Sequence, residues 1–310
     1  MSRIRSLNIL LVAEESAGVQ TLRAVAGTVH RIVAVMTSEP DPAARHATVA
    51  GVASSFGHLR WAASEVTEPG TAARMRAADV DLLINVHSLY VIHPEVLSAA
   101  RIGSFNLHPG PLPGYAGLNT PSWAIYRGEV QHGVTLHWMA AGIDTGPIAY
   151  AEQFPIDAND TGLSVSATCV RRGVPLVTRL IQTAAADPDA IPAVGQDLSR
   201  RRYFGAEPPH AGAIDWEVPA QDFVDLIRAC DYYPLTSPWG YPAANLGRVA
   251  ARIVSASRTH RPCEAAPGTL GQAVEGGVEV ACTDEWIVVR RCQVGDRYVN
   301  ARELLETRSD

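Results

Sequence analysis

A mainly parallel α/β sheet domain followed by a small β-rich domain is the architecture this sequence predicts, and three observations predict it. Short apolar runs alternate with amphipathic stretches through the first half, as in "NILLVA" (8–13), "RIVAVMTS" (31–38) and "DVDLLINVHS" (79–88). From 187 onward the composition turns to Pro, Asp, Gly and Arg, "DPDAIPAVGQDLSRRRYFGAEPPHAG". Beyond it stand one helical pattern and several strand patterns separated by turn residues. Alternation of strand with helix covers both faces of a parallel sheet, whereas closely spaced strands and turns make an antiparallel one. The expected division is a catalytic domain over residues 1–205 and a small domain over 206–310.

Each element has its own local reason. Asn8–Ala13 is an apolar strand, and Val19, Leu22 and Val25 after it fall on one helical face. Arg31–Ser38 is the next strand. A polar loop with Pro40 and Pro42, a helix and a short strand near Leu59–Ala62 come after it. Asp79–Ser88 is a further strand, and "HPEVLSAA" is a helix with Pro94 near its start, where a missing N–H costs nothing. "IGSFNLHP" is a strand stopped by Pro109. "GVTLHWMA" and "PIAYAEQFPI" are two more, joined by the loop Ala141–Gly146. "DTGLSVSATCVRRGVPLVTRLIQTAAADP" holds the longest helical pattern, with Asp160 or Thr161 as its cap. The stretch 187–213 reads as a linker. In the last hundred residues "PAQDFVDLIRACDYY" is a helix. "GRVAARIVSAS", "GTLGQAVEGGVEVAC" and "EWIVVRRCQV" are strands, with Gly276–Gly277 as a hairpin turn.

Composition excludes several function classes. The chain has 310 residues, 47% hydrophobic and 19% charged, with no apolar run long enough for a membrane helix. "MSRIRSLNILLVAEESAG" sets basic residues before an apolar run, as a signal peptide does. Glu14 and Glu15 cut that run short, so it reads as a strand and the expected location is the cytoplasm. The net charge of −6 lacks the basic excess of a nucleic-acid binder, and no nucleic-acid or membrane partner is expected. All 26 basic residues are arginines. Without a lysine there is no P-loop lysine, kinase strand lysine or Schiff base. The five cysteines are scattered without a CxxC spacing and are expected to be reduced. His87, His93, His132 and His137 show no paired-ligand spacing, so no metal is expected. After the first strand comes "AEESAGVQ" in place of GxGxxG, which gives no support to dinucleotide binding.

The chemistry is concentrated in "FNLHPGPLPGYAGLNTPSWAI" (105–125) and "AAGIDTGPI" (140–148). Asn106 and His108, two apart on a strand, point the same way at its carboxyl end, where open α/β sheets carry their sites. The prolines and glycines that follow hold both groups in place. Asp144, in a loop between two strands, is the candidate for orienting the His108 ring or accepting a proton.

The block "SFNLHPGPLPGYAGLNTPSWAIYRGEVQHGVTLHWMAAGIDTGPI" resembles the formyltransferases that use 10-formyltetrahydrofolate. It shows in order the Asn-x-His pair, a "PLP" loop, Trp123, "GVT" and "DTG". "IDWEVPAQDFVDLIRACDYYP" and "PGTL" look like the small open-barrel domain of methionyl-tRNA formyltransferases and their relatives. The resemblance implies a Rossmann-like catalytic domain and an OB-like C-terminal domain. It implies a tetrahedral intermediate formed when an amine attacks the formyl carbon, with Asn106 and His108 donating to the developing oxyanion and Asp144 behind them. It places the folate donor against Ser88, Leu89, Tyr90, Val91 and Ile92, with the loop Ala140, Ala141, Gly142 and Ile143 closing the other side. Pro109, Gly110, Tyr115 and Asn119 fall toward the acceptor. The "HPGPLP" form is closest to formyltransferases of sugar-nucleotide and small-metabolite amines. The expected acceptor is therefore a small or carrier-bound amine, on a chain able to form a homodimer. Hydrolysis of 10-formyltetrahydrofolate and formylation of methionyl-tRNA are the alternatives; the latter is opposed by the acidic charge and by the missing basic loop after the second strand.

Overall fold

The computed structural model describes residues 5–40 and 46–306, in two compact units. Pro42, expected in the loop after the second strand, lies outside the described residues. The first unit comprises residues up to 117 with 133–153 and 168–203; the second comprises 118–132, 154–167 and the chain from 204 onward. No helix among the described residues is long and apolar enough to cross a membrane.

The first unit is built on a mainly parallel sheet. Its strands in chain order are β1 (Asn8–Ala13), β2 (Arg31–Thr37), β3 (Arg60–Ala62), β4 (Leu82–Val86), β5 (Gly103–His108), the two-residue β6 (Ala116–Gly117), β7 (Gln131–Trp138) and β8 (Ile148–Pro155). Seven of them form one sheet in the order β3-β2-β1-β4-β5-β7-β8. β1 to β5 pair in parallel, and β7 joins β5 antiparallel. All five residues of β4 are buried, as in a strand covered on both faces. One cover is the core around Leu11, Ile84, Phe105 and Leu136, completed by Leu176, Leu180 and Ile181 of the long helix Gly162–Ala186. The other packs Leu10, Met36 and Leu83 against Met75, Val80 and Val96. The chain leaves β1 outward to β2 and β3, then returns to β4 on the other side of β1. The order thus reverses between β1 and β4.

The second unit is β-rich and antiparallel, as expected. After the two-residue β9 (Tyr203–Phe204), its sheet holds β10 (Ala243–Leu246), β11 (Val249–Pro262), β12 (Leu270–Val274), β13 (Gly277–Ala281), β14 (Glu285–Val294) and β15 (Arg297–Asn300). The β12–β13 hairpin turns at Gly276, whose φ of 81° suits glycine, and at Gly277, where a Cβ would stand 2.2 Å from the Val289 carbonyl oxygen. The helix Ala220–Cys230 buries Phe223, Val224 and Ile227 against Ile253, Val280 and Ile287 of the sheet. β11 runs further than the apolar pattern 247–257 predicts. Its polar end is kept in the sheet by pairing with β14 and by Arg258, which binds buried Glu285 at 2.8 and 3.0 Å.

Candidate active site

Register puts three polar side chains in one row. Asn85 of β4 stands opposite Asn106 of β5, and Asn106 stands opposite His137 of β7. Directly paired residues share a face. The row is hydrogen-bonded: Asn85 Nδ2 donates to Asn106 Oδ1 at 2.9 Å, and Asn106 Nδ2 donates to His137 Nε2 at 3.1 Å. His137 Nδ1 donates in turn to the Trp138 carbonyl at 2.8 Å, which leaves Nε2 as the acceptor. His108, two residues beyond Asn106, lies at the strand end, 3% exposed.

Asp144 closes the group from the loop between β7 and β8. Its backbone is left-handed, φ 55°, a conformation that Asp tolerates better than most residues. Oδ1 lies 3.4 Å from Asn106 Nδ2 and 3.4 Å from His137 Nε2. Oδ2 accepts the Gly117 N–H at 2.8 Å and stands 3.6 Å from His108 Nδ1. Burial works to raise this carboxyl, but the neighbouring His137 and His108 rings and the Gly117 N–H outweigh it and hold it at about 2. His108 goes the other way. Burial pushes its imidazole below the usual range, against the pull of Asp144 and of the Tyr115 carbonyl. The site is thus an ionised carboxylate among imidazole and amide side chains, an arrangement suited to polarising a carbonyl and steadying charge that develops on it.

The proline-rich exit is stapled to the sheet. Thr135, opposite His108, donates from Oγ1 to the Gly110 carbonyl at 2.8 Å and accepts the Leu112 N–H at 3.2 Å. Tyr115 is brought back so that its carbonyl accepts from His108 Nε2 at 2.5 Å.

The segment 187–203 departs from the linker reading. Val194 pairs with Ile148 through both backbone bonds. Gln196 Nε2 donates to the carbonyls of Asp144 and Gly146 at 3.0 and 2.6 Å, and Arg201 donates to the Ile143 carbonyl at 3.0 Å. Arg202 pairs by backbone with Pro113 and Ala116. Its polar composition suits this task, because the carbonyls of an irregular loop need donors.

Among the expected donor-side residues, Leu89, Tyr90 and Val91 are exposed at 76%, 40% and 68%, while Ile92 packs into the apolar core. Ser88 is buried, and its Oγ and the neighbouring Asn85 Oδ1 have no hydrogen-bond partner among the described residues. An exposed apolar lip beside unpaired buried polar atoms fits a flat, hydrogen-bonding heterocycle such as a pterin. Ala140, Ala141, Gly142 and Ile143 are exposed in the loop that leads to Asp144. On the acceptor side, Pro109 and Gly110 lie in the stapled exit, and Tyr115 has its ring buried. Asn119 belongs to the second unit, where its amide donates to the Ala206 carbonyl at 3.2 Å. No cluster of three His, Cys, Asp or Glu side chains able to hold a metal ion occurs among the described residues.

Asn85 and His137 are the members that sequence reasoning missed. The only local signal was a polar residue inside an apolar strand, "LLINV" and "VTLHW".

The formyl transferase family model matches residues 8–176, and the model of the formyl transferase C-terminal domain matches residues 208–309. WlaRD, a sugar 3N-formyl transferase in the presence of dTDP and 5-N-formyl-THF, superposes with a TM-score of 0.69 at 18% identity, over 92% of this chain and 98% of that one. An N-formyltransferase from Helicobacter canadensis, in complex with folinic acid and dTDP-3-aminofucose, gives 0.66 at 19% identity, over 92% and 99%. HypX from Aquifex aeolicus in complex with tetrahydrofolic acid gives 0.67 at 17% identity, over 96% of this chain and 46% of that one. At these identities the likeness is one of fold.

Proposed function

The chain belongs to the formyl transferase family, and from that premise we propose that it moves a formyl group from 10-formyltetrahydrofolate to the primary amine of a small or carrier-bound metabolite. One observation carries the reading: Asn106 and His108 of β5 and Asp144 of the loop after β7 converge at the carboxyl edge of the sheet, with Asp144 3.4 Å from Asn106 Nδ2 and 3.6 Å from His108 Nδ1. The folate and amino-sugar ligands named for the neighbouring structures support a folate donor and a sugar-like acceptor.

When bound, the donor supplies the carbonyl carbon. Ser88 and Asn85 would meet its polar edge, with Leu89, Tyr90 and Val91 on its face. Asn106 Nδ2 makes contacts of 3.1 and 3.4 Å, and the longer of them, to Asp144, can be exchanged for a carbonyl oxygen gaining charge. His108 offers a second N–H when its bond to the Tyr115 carbonyl is exchanged for that oxygen. Asp144 keeps both donors oriented and balances any positive charge on His108.

The test is to incubate the protein with 10-formyltetrahydrofolate and a panel of amino-sugar nucleotides, small amines and carrier-bound amines. Tetrahydrofolate released only with a particular amine, together with the matching formamide, supports transfer. Release at the same rate without any amine overturns it in favour of hydrolysis.

A further inference from the structure

We infer that His87, backed by Glu15, is the group that takes the proton from the incoming amine, an inference that rests on the amine-acceptor reading above. At neutral pH an alkylamine arrives as an ammonium ion with no lone pair, so a base must remove one proton before it can attack. The groups already described are poorly placed for that. His108 has Nε2 on the Tyr115 carbonyl and Nδ1 toward Asp144. His137 has Nδ1 on the Trp138 carbonyl and Nε2 on the Asn106 amide. Asp144 is too weak a base, its carboxyl being held at about 2.

His87 differs on each count. It directly follows β4, just as Glu14 and Glu15 follow β1, and the two strands are parallel neighbours with Val86 opposite Ala13. This is the reversal of strand order, where ligands enter open α/β sheets. Val86 also stands opposite Leu107 of β5, so His87 and His108 come next, at one level of the same edge. Both Glu15 and His87 adopt left-handed backbone, φ 57° and 58°, as Asp144 does in the site itself. The result is a contact of 3.2 Å between Glu15 Oε2 and His87 Nδ1. With that N–H given to the carboxylate, Nε2 keeps its lone pair and has no hydrogen bond among the described residues. The carboxylate fixes the tautomer and stabilises the imidazolium, as the aspartate of a Ser-His-Asp triad does. The His87 side chain is 13% exposed and that of Glu15 73%, so the ring is sheltered while the carboxylate reaches solvent. Among the described residues, the charged and titratable groups facing His87 are Glu15 after β1 and His108 at the end of β5. Nearby Glu14 is occupied by Thr37 Oγ1 and the Ser38 N–H.

The steps balance. The ammonium gives one proton to His87 Nε2, which later passes to solvent. The freed lone pair forms a bond to the formyl carbon. The bond from that carbon to the donor nitrogen breaks, and a second proton moves from the attacking nitrogen to the departing one. One proton is released per formamide formed.

The experiment is the pH profile of kcat/KM for the acceptor in wild type, His87→Gln and Glu15→Gln, with 5-formyltetrahydrofolate binding and thermal melting as controls. His87→Gln is expected to lose roughly 10²-fold near neutrality and to approach wild type at high pH, where the amine deprotonates unaided. Glu15→Gln should lower the rate near neutrality by less than His87→Gln does, with 5-formyltetrahydrofolate binding kept, and added imidazole should restore part of the rate to His87→Ala. A wild-type profile in His87→Gln, or an equal loss at every pH with no imidazole rescue, overturns the dyad alone. A wild-type protein that formylates no amine overturns the parent reading and the dyad with it.

Discussion

Asp144 shares two oxygens among four neighbours, and the pH behaviour of the site follows from this. Its folded carboxyl lies at about 2 against an ordinary 3.8, so the folded chain sheds this proton more readily than the unfolded one. The stabilisation is therefore complete above about pH 4, is worth about 2 kcal/mol there, and fades as pH falls through about 2. Urea unfolding should show Asp144→Asn weaker than wild type at neutral pH, with the gap closing below about pH 4. His108 is likewise easier to deprotonate folded than unfolded, because burial disfavours its charged form. Its contribution is full above its ordinary value of 6.5 and shrinks as pH falls below it. His108→Gln should remove that part of the decline. Asn106→Ala should lower kcat by roughly 10²- to 10³-fold with folate binding kept, the usual loss for one oxyanion donor. An unchanged kcat would remove Asn106 from the chemistry.

At the scale of elements, the site is held by staples between neighbouring loops. Thr135 makes two bonds to the proline-rich exit. Thr135→Val keeps the shape but leaves the Gly110 carbonyl and the Leu112 N–H unpaired. It should cost about 1–3 kcal/mol in chemical denaturation, and Thr135→Ser should restore most of it. Gly146 passes so close to β7 that a Cβ would stand 1.9 Å from the Trp138 carbonyl oxygen. Gly146→Ala must shift the loop carrying Asp144 and should lower kcat more than it lowers the melting temperature. Gln196→Leu removes the donor shared by the Asp144 and Gly146 carbonyls. Loss of activity in a folded Gln196→Leu protein would mark 187–203 as a wall of the site, whereas full activity would return it to a connecting role.

In the whole molecule, the two cores on the faces of the parallel sheet and the core of the β-rich sheet are each formed from residues of one unit. Phe223, 1% exposed, stacks on Trp216 with ring centres 4.8 Å apart. Phe223→Ala should cost about 3–5 kcal/mol, followed by denaturation with Trp216 among the fluorescence reporters. The order of strands and helices, the hairpin at Gly276 and the position of Asn106 and His108 on a strand end and of Asp144 in a loop were legible in the sequence. Apolar period, caps, glycines and prolines act over a few residues, so their pattern can be read along the chain. Asn85 and His137 were not legible as site members. Their place depends on β4 and β7 flanking β5 in one particular register, which is set by burial across the sheet. Nor was the pairing of Glu15 with His87, 72 residues apart, nor the docking of 187–203 on the Asp144 loop. The sequence by itself determined the fold class and the chemical groups at the strand ends, because both are local. Only the tertiary structure decided which groups share a hydrogen bond, because that depends on contacts between segments distant in the chain.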